Sequence, residues 1–166
     1  PRIETGLSHI ILFIRHPVEQ KGHLHTVPLT ILVAKPYFIT ISPVKSTLIE
    51  EILHKKKLPS INTPSEFLTM VLSMVSLEFN RQTKKARHSV MAQRKEIHSV
   101  DNDDISSLTE DEEVLNQYIA SLGPLEETIE ELTLLKSTDF HETTYSEIDD
   151  ILNSIKQSLN ICNTLI

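Results

Sequence analysis

The spacing of hydrophobic residues changes once along the chain, from a period of two near the start to a helical period afterwards. Short apolar runs at residues 8–15, 26–34 and 37–42 predict three β-strands. Lys35-Pro36 separates the last two runs and favours a tight turn, so these strands are predicted to form an antiparallel hairpin. The polar segment 16–25 predicts a loop. Pro28 has no backbone N–H and is expected at a strand start or a bulge.

Helical spacing begins after the third strand. Ser42 and Pro43 suit the start of a first helix, and the lysines at 55–57 suit its end. The capping box at residues 63–66 starts a second helix, which is predicted to run to about residue 98. The second half of this helix is mostly polar, so we expect it to leave the core and project.

Two further helices carry heptad spacing. The third is predicted to start at a cap in residues 109–112, after a loop at 101–107, and Gly123-Pro124 predicts a kink within it. The second and third helices are predicted to pack antiparallel, basic against acidic. The fourth pattern reaches the last residue without a stop signal, so we expect a fragment of a longer protein. The two heptad seams are Leu115, Tyr118, Leu122, Leu125, Ile129 and Leu132, and then Ile148, Leu152, Ile155, Leu159, Cys162 and Ile166.

Composition and charge narrow the class of protein. The 166 residues, 39% of them hydrophobic, are enough for one domain with a core. The single Cys162 excludes an internal disulfide, and no apolar stretch reaches the ~18 residues of a membrane helix. Residues 1–100 carry 14 Lys/Arg and 7 Asp/Glu, a charge of +7, whereas residues 101–166 carry 2 Lys and 16 Asp/Glu, a charge of −14. The acidic half can pair with the basic half or attract cations.

The sequence holds no convincing catalytic constellation. It lacks a Gly-rich phosphate loop, paired cysteines and an HExxH motif, so an enzyme is not predicted. His23 and His25 are metal-ligand types, but without a third ligand they are expected to be solvent-exposed. The basic stretch around His88 has no interleaved aromatic residues, so we do not expect nucleic-acid binding.

The start of the last helix offers the best candidate metal ligands. Asp149 and Asn153 lie four residues apart on one helix face, and Asp150 is one residue further round. Carboxylates at helical spacing suit Mg²⁺, a hard cation that keeps most of its waters. Alternatively, these acids are a solvated helix start that complements the macrodipole. We predict Asp149, Asp150 and Asn153 as the metal ligands.

Four segments, taken in order, resemble the cytoplasmic part of CorA-type magnesium transporters. Pro1-Arg2-Ile3-Glu4 is similar to the lead into a central strand of that family's α/β domain, and the hairpin at 29–42 is similar to its two later strands. Leu122-Gly123-Pro124-Leu125-Glu126-Glu127 resembles the family's Leu-x-Pro-Leu-(Arg/Glu) segment in the kinked second helix of a projecting pair. Residues 145–166 resemble the start of the stalk helix, which in the family runs into the first membrane span.

The chain also departs from the family pattern. Asp150-Ile151-Leu152-Asn153 stands where the family often has Asp-x-x-Asp, whose second Asp helps to bind a regulatory metal between subunits. Asn is a neutral and poorer Mg²⁺ ligand. The family's Gly-Met-Asn element, both membrane helices and the first part of the α/β domain are absent from the sequence, so this fragment is not expected to conduct ions.

The resemblance implies an α+β fold, with an α/β/α-type sheet portion followed by long projecting helices and the start of a stalk helix. The expected regions are a partial α/β domain at 1–62, a helical hairpin at 63–142 and a stalk start at 143–166. The implied function is the cytoplasmic regulatory portion of a divalent-cation transporter of the cell membrane, gated by cation binding between the subunits of a pentamer. Mg²⁺, or another divalent cation, would be both regulatory and transported. The alternative is a soluble helical interaction module without a membrane role.

Overall fold

The computed structural model describes residues 2–6, 9–20, 22–34, 36–54, 63–96, 102–134 and 142–166. Four strands come first, and four helices follow. The strands are β1 (Arg2–Thr5), β2 (His9–Gln20), β3 (His23–Ala34) and β4 (Tyr37–Ile41). The helices are α1 (Thr47–His54), α2 (Pro64–Glu96), α3 (Asn102–Leu134) and α4 (Glu142–Leu165). The predicted α+β class, a sheet portion followed by long helices, is confirmed.

The strands form one antiparallel sheet in the order β1-β2-β3-β4. The predicted hairpin is confirmed, because β3 and β4 pair from Thr30↔Ile41 to Ala34↔Tyr37. The strand at the N-terminus is an edge strand that pairs only with β2 among the described strands, not a lead into a central strand.

The predicted loop at residues 16–25 is wrong. The strands β2 and β3 pair without interruption from His9↔Ala34 to Gln20↔His23. Gly22, which directly precedes β3, has φ +85°, a conformation that glycine adopts without steric cost. The polar residues of the segment are therefore strand residues at the solvated end of a long hairpin.

The position of Pro28 also differs from the prediction. It lies inside β3 in regular register with Arg15, at neither a strand start nor a bulge. The strand β4 reaches only to Thr30, so among the described strands β3 has a neighbour on one side alone at Pro28. Proline is tolerated at such a half-edge position because fewer ladder hydrogen bonds depend on its missing N–H.

One face of the sheet forms the floor of the core. Leu12 pairs with Ile31 and Ile14 pairs with Leu29 across β2 and β3, and all four side chains are buried. These side chains belong to one hydrophobic cluster with the buried residues of the helices. On the other face, β4 exposes a row of apolar side chains, namely Tyr37, Ile39 and Ile41. The alternation of the strands thus sends one row of side chains into the core and the next row away from it.

The N-caps of the first two helices can be compared with the N-caps predicted from the sequence. Ser46, not Ser42, caps α1, since its hydroxyl accepts from the backbone N–H of Ile49 at 3.4 Å. The capping box before α2 is confirmed, because Thr63 Oγ1 accepts from the N–H of Glu66 at 3.2 Å. The lysines at 55–57 lie outside the described residues.

The second half of α2 does not leave the core as predicted. Gln82, Thr83, Ala86 and Val90 are buried beneath the neighbouring helices. Polar residues on the other sides of α2 made this half look solvated, but every third or fourth position still faces α3 or α4. The projection of α2 beyond residue 96 is a prediction outside the described residues.

The helix α3 begins at Asn102, so the predicted loop at 101–107 and the start at 109–112 are wrong; residue 101 lies outside the described residues. No Gly or Pro interrupts residues 102–122, and a capping-box motif can occur inside a helix. The helix continues through Pro124 to Leu134, so the proline does not end it, and the kink there stays a prediction. All six residues of its predicted seam are at most 1% exposed.

The helices α2 and α3 run antiparallel, as predicted. Phe79 meets Tyr118 edge-to-face with ring centroids 5.6 Å apart, and further along α2 the Ser89 hydroxyl donates to Asp111 at 2.8 Å. The residue numbers rise on one helix while they fall on the other, which defines the direction.

The helix α4 packs with a face rotated from the predicted seam. Ile148, Ile155 and Cys162 are buried as expected, but Ile166 is 57% exposed. Leu152 and Leu159 are only partly buried. The positions that complete the buried face are Ile151, Ser158 and Leu165. This face packs against α2 and α3 of the same chain.

Candidate functional site

The predicted metal ligands lie together on the outer face of α4. Asp149, Asp150 and Asn153 are exposed, whereas the neighbouring Ile148 and Ile151 turn into the core. Within the described part of the chain, neither Asp149 nor Asp150 forms a hydrogen bond or ion pair. Both carboxylates are therefore available to a ligand from solution.

These residues do not form a closed metal site. Across the described ranges, no group of three or more His, Cys, Asp or Glu side chains could hold a metal ion. Two carboxylates and one amide oxygen suit a hard cation that retains several waters. The chemistry of the three side chains fits Mg²⁺, but α4 by itself supplies only one side of a coordination shell.

The acidic residues of α3 are partly neutralised by α4. Lys156 Nζ lies 2.8 Å from Glu130 Oε1 and 3.6 Å from Glu126 Oε1. The hydrogen bond to Glu130 is the main cause that raises the pKa of Lys156, and the charges of both glutamates add to it. The helix α4 therefore carries a lysine that pairs with the glutamates of α3. On the same helix, Asp149 and Asp150 have no ion-pair partner in the described part of the chain.

The predicted pairing of a basic α2 with an acidic α3 is not what the described side chains show. Lys85 of α2 contacts Glu19 of β2 at 3.1 Å, and Arg81 contacts Glu78 on its own helix at 2.7 Å. These two basic residues of α2 thus pair with the sheet and with α2 itself. Apolar packing and the Ser89–Asp111 hydrogen bond, not ion pairs, join the two helices in the described regions.

The other ligand-type residues have structural settings. The His23 side chain is 71% exposed, as predicted, and its Nδ1 contacts Glu110 of α3. The same prediction is wrong for His25, which is half-buried, and the structure assigns neither histidine to a metal-binding group among the described residues. Cys162 is buried with its Sγ 3.8 Å from Thr83 Oγ1, and burial raises the pKa of its thiol. As predicted, this cysteine is a packing residue of the seam.

A polar cluster around the half-buried Glu78 was not foreseen from the sequence. Glu78 accepts from Arg81 Nε at 2.9 Å and from Gln82 Nε2 at 2.7 Å. His16 of β2 and Tyr118 of α3 are both fully buried, and the charge of Glu78 acts on each of them. The sequence signal that could have revealed this cluster is the alternation of Leu12, Ile14 and His16, because it places the histidine on the core face of β2.

Burial sets the protonation states in this cluster. It lowers the pKa of His16, and the Pro17 carbonyl and the charge of Glu78 only partly oppose this. It also raises the pKa of Tyr118. Burial alone would raise the pKa of Glu78, but hydrogen bonds from Arg81 and Gln82 and the charge of Arg81 outweigh it, so this pKa is lowered. The cluster at neutral pH thus holds a neutral imidazole, a neutral phenol and a carboxylate.

The comparison with protein families decides the classification. The model of the family described as CorA-like Mg²⁺ transporter protein matches residues 1–166. The chain belongs to this family. A search of curated protein sequences found no match. The resemblance based on the hairpin, the Gly123-Pro124 segment and the start of α4 is confirmed at the level of the family.

Solved structures of CorA-type proteins share the fold. The soluble domain of CorA from Methanocaldococcus jannaschii superposes with a TM-score of 0.88 at 16% identity, covering 99% of this chain and 68% of that one. The complete CorA magnesium transporter from the same organism gives a TM-score of 0.88 at 14% identity, with 99% and 53% covered. The ZntB cytoplasmic domain from Vibrio parahaemolyticus RIMD 2210633 gives 0.73 at 14% identity, with 99% and 70% covered.

These coverages define the extent of the CorA-type likeness. The chain spans about half of the complete M. jannaschii transporter, 53% of its length. No helix in the described part of the chain combines the length and apolar character that a membrane crossing needs. At 14–16% identity the superpositions establish the fold, and they do not carry ligands or transport over to this chain.

Proposed function

We propose that this chain is the cytoplasmic regulatory portion of a divalent-cation transporter of the cell membrane, with Mg²⁺ as the cation, and that it has no enzymatic role. The observation that carries this proposal is the family match over all 166 residues, together with a fold shared with the soluble domain of a CorA. The transport step belongs to a membrane part, and the described helices contain no candidate for it. Residues 1–62, 63–142 and 143–166 would be its sheet portion, helical hairpin and stalk start.

The proposed cation site is Asp149 and Asp150, with Asn153 as a neutral oxygen ligand. Three features support it: the side chains are exposed, the two carboxylates have no partner in the described part of the chain, and they lie on adjacent positions of one helix. A bound divalent cation would offset the repulsion between the neighbouring charges. Because Asn153 stands where the family often has Asp, the affinity should be low and several waters should remain on the cation.

The incomplete geometry indicates how such a site could regulate. Since α4 supplies only one side of a coordination shell, the remaining ligands would be waters and groups of a neighbouring subunit. A cation shared between subunits binds one arrangement of them better than another, and so shifts the population of the two arrangements. In the pentamer implied by the resemblance, cation binding would favour the closed state and cation loss the open state.

The site can be tested on the full chain by Mg²⁺ titration. Thermal stability and sedimentation would be followed for the wild type and for Asp149→Asn/Asp150→Asn, which removes the charges with little change of shape. Glu112→Gln/Glu113→Gln is the matched control, because these are also adjacent, exposed acids on a helix. We expect Mg²⁺ to raise the Tm of the wild type and of the control, and to raise that of the Asp149/Asp150 variant much less.

An equal Mg²⁺ response in all three proteins would exclude Asp149 and Asp150 and leave them as a solvated helix start. Repeating the titration with Zn²⁺ and Co²⁺ would rank the cations. Transport needs a separate test, namely the sequence that follows residue 166 in the parent gene. Two apolar stretches of ~20 residues, with Gly-Met-Asn after the first, support a transporter. Their absence would favour the soluble interaction module.

A further inference from the structure

One face of α2 is turned away from the core and is exposed along several turns of the helix. Its residues recur at intervals of four and three positions, so they lie on one side of the helix. The buried positions of the same segment, such as Phe79 and Ala86, lie on the opposite side. We call this exposed face the α2 stripe, and it consists of Leu77, Arg81, Lys84, His88 and Met91.

The α2 stripe combines apolar ends with a basic centre. Leu77 is 64% exposed at one end, and Met91 is 40% exposed at the other. Between them, Lys84 and His88 form no hydrogen bond or ion pair within the described part of the chain, and Arg81 contacts only Glu78 of its own helix. A helical face of this kind suits a partner helix that offers acidic side chains between apolar ones.

The outward face of α3 carries side chains of the complementary kind. Leu134 is 79% exposed at its end, and Glu127 is exposed without a partner in the described ranges. At Gly123 the space outside the helix is open, because no atom lies within 4 Å of the position that a Cβ would take. We call this face the α3 stripe, and it consists of Ala120, Gly123, Glu127, Glu130 and Leu134.

The two stripes match residue by residue when the helices are placed antiparallel. The intervals are 4, 3, 4 and 3 residues forward along α2 from Leu77, and 4, 3, 4 and 3 residues backward along α3 from Leu134. In this register leucine meets leucine, two basic side chains meet two glutamates, and the bulky His88 and Met91 meet the two smallest residues. A parallel alignment puts the intervals out of step. The antiparallel pairs are Leu77 with Leu134, Arg81 with Glu130, Lys84 with Glu127, His88 with Gly123 and Met91 with Ala120.

The two stripes do not meet within one chain. The helices α2 and α3 contact each other through their buried faces, as at Phe79 and Tyr118, whereas each stripe lies on the other side of its helix. Accordingly, no ion pair joins Lys84 to Glu127. Only a second copy of the chain can bring an α3 stripe to an α2 stripe.

We propose that the α2 stripe of one copy binds the α3 stripe of a second copy, antiparallel and in this register. The opposite charges favour approach and fix the register, and the leucine pair buries apolar surface at one end. Because each copy has one stripe of each kind, the same contact can repeat from copy to copy around a closed assembly. The inference rests on the proposed function in one respect, since the second copy would be the neighbouring subunit of the transporter.

Cysteine cross-linking of the full chain tests the register. Leu77→Cys mixed with Leu134→Cys places two thiols opposite each other, and mild oxidation should join one copy of each into a covalent dimer. Met91→Cys mixed with Leu134→Cys is the matched control, because these exposed positions meet only in the parallel alignment and should give much less dimer. Cys162 is buried in every variant. No mixed dimer with Leu77→Cys, or equal yields in the two mixtures, would overturn the proposal.

Charge reversal tests the central pair by sedimentation over a range of concentrations. The wild type should self-associate, and less so as salt rises. Lys84→Glu and Glu127→Lys should each weaken association by about 3–10-fold, and Lys84→Glu/Glu127→Lys should restore most of it. Glu112→Lys is the control, because it reverses an exposed acid of α3 outside the stripe and should have little effect. A double variant as weak as either single variant would contradict the pairing.

Other occupants of the α2 stripe would give different results. Association that neither single reversal changes would overturn the proposal and indicate another surface, such as the exposed row of β4. A monomer that binds phosphatidylserine vesicles, and loses this binding in Lys84→Glu, would overturn it in favour of a lipid surface.

The contact and the cation site fail separately. Cross-linking that succeeds while Asp149→Asn/Asp150→Asn keeps the wild-type Mg²⁺ response supports this contact and excludes that site. A Mg²⁺ response that depends on Asp149 and Asp150, without cross-linking, supports the site and overturns the contact.

Discussion

The packing of α3 makes a quantitative prediction at Ile129, which is fully buried in the last third of this helix. Ile129→Ala removes three carbon atoms, worth about 2.4 kcal/mol of transfer free energy at ~0.8 kcal/mol each. The cavity left by incomplete relaxation adds to this, and such substitutions cost about 2–5 kcal/mol in total. A loss near 3 kcal/mol corresponds to a fall in Tm of about 6–12 °C at this chain length.

The assay is chemical denaturation of the full chain, with m-values compared to exclude a change in the unfolded state. Ile129→Val removes only one carbon and should cost about 0.5–1.5 kcal/mol. Leu134→Ala, at a residue that is 79% exposed, should stay within about 0.5 kcal/mol of the wild type. This graded series separates burial from the general effect of substitution on α3.

A charge variant tests whether packing or electrostatics dominates. Lys85→Ala breaks the exposed contact with Glu19, and exposed pairs of this kind contribute about 0–1 kcal/mol. If Lys85→Ala lowered the free energy of unfolding more than Ile129→Ala does, the conclusion that apolar packing stabilises this fold would be refuted. The same conclusion would fail if Ile129→Val and Ile129→Ala had equal costs.

Two further predictions concern the sheet. Because burial lowers the pKa of His16 below the ~6.5 of an unfolded histidine, the unfolded state takes up the proton first, so stability should fall as pH drops below about 6.5. Denaturation at pH 7.5 and 5.5 should show a smaller difference in His16→Gln, and an unchanged difference would contradict this account. Gly22→Ala should destabilise the fold by about 1–2 kcal/mol, because an alanine disfavours the backbone φ of +85° at this position. No neighbouring atom lies within 4 Å of the added Cβ, so a steric clash would not contribute. Gly22→Asn should cost less, since asparagine tolerates this conformation, and equal losses would refute the strain argument.

The sequence by itself determined the features that depend on local chemistry and on regular spacing. The capping box at Thr63, the pairing of β3 with β4 and the α3 seam each require only a few neighbouring residues or one repeated interval. The heptad pattern of α3 predicted its buried side correctly, whereas the equally regular pattern of α4 predicted only Ile148, Ile155 and Cys162 of its buried face. The order of these features was also enough to indicate the family, which the match over the whole chain confirms.

The candidate cation site was only partly predictable in the same way. Helical spacing placed Asp149, Asp150 and Asn153 on one exposed surface, as the structure has them. Their role as ligands remains a prediction, because the described residues supply no further group that would complete a coordination shell around them.

The tertiary structure decided the features that depend on what packs against each element. The polar second half of β2 is a strand because β3 pairs with it as far as Gln20, and the buried face of α4 includes Ile151 and Leu165 because α2 and α3 lie on that side. The cluster around Glu78 draws on residues as far apart as His16 and Tyr118. No local pattern encodes such a meeting, because burial and pairing are properties of the surroundings, which only the folded chain assembles.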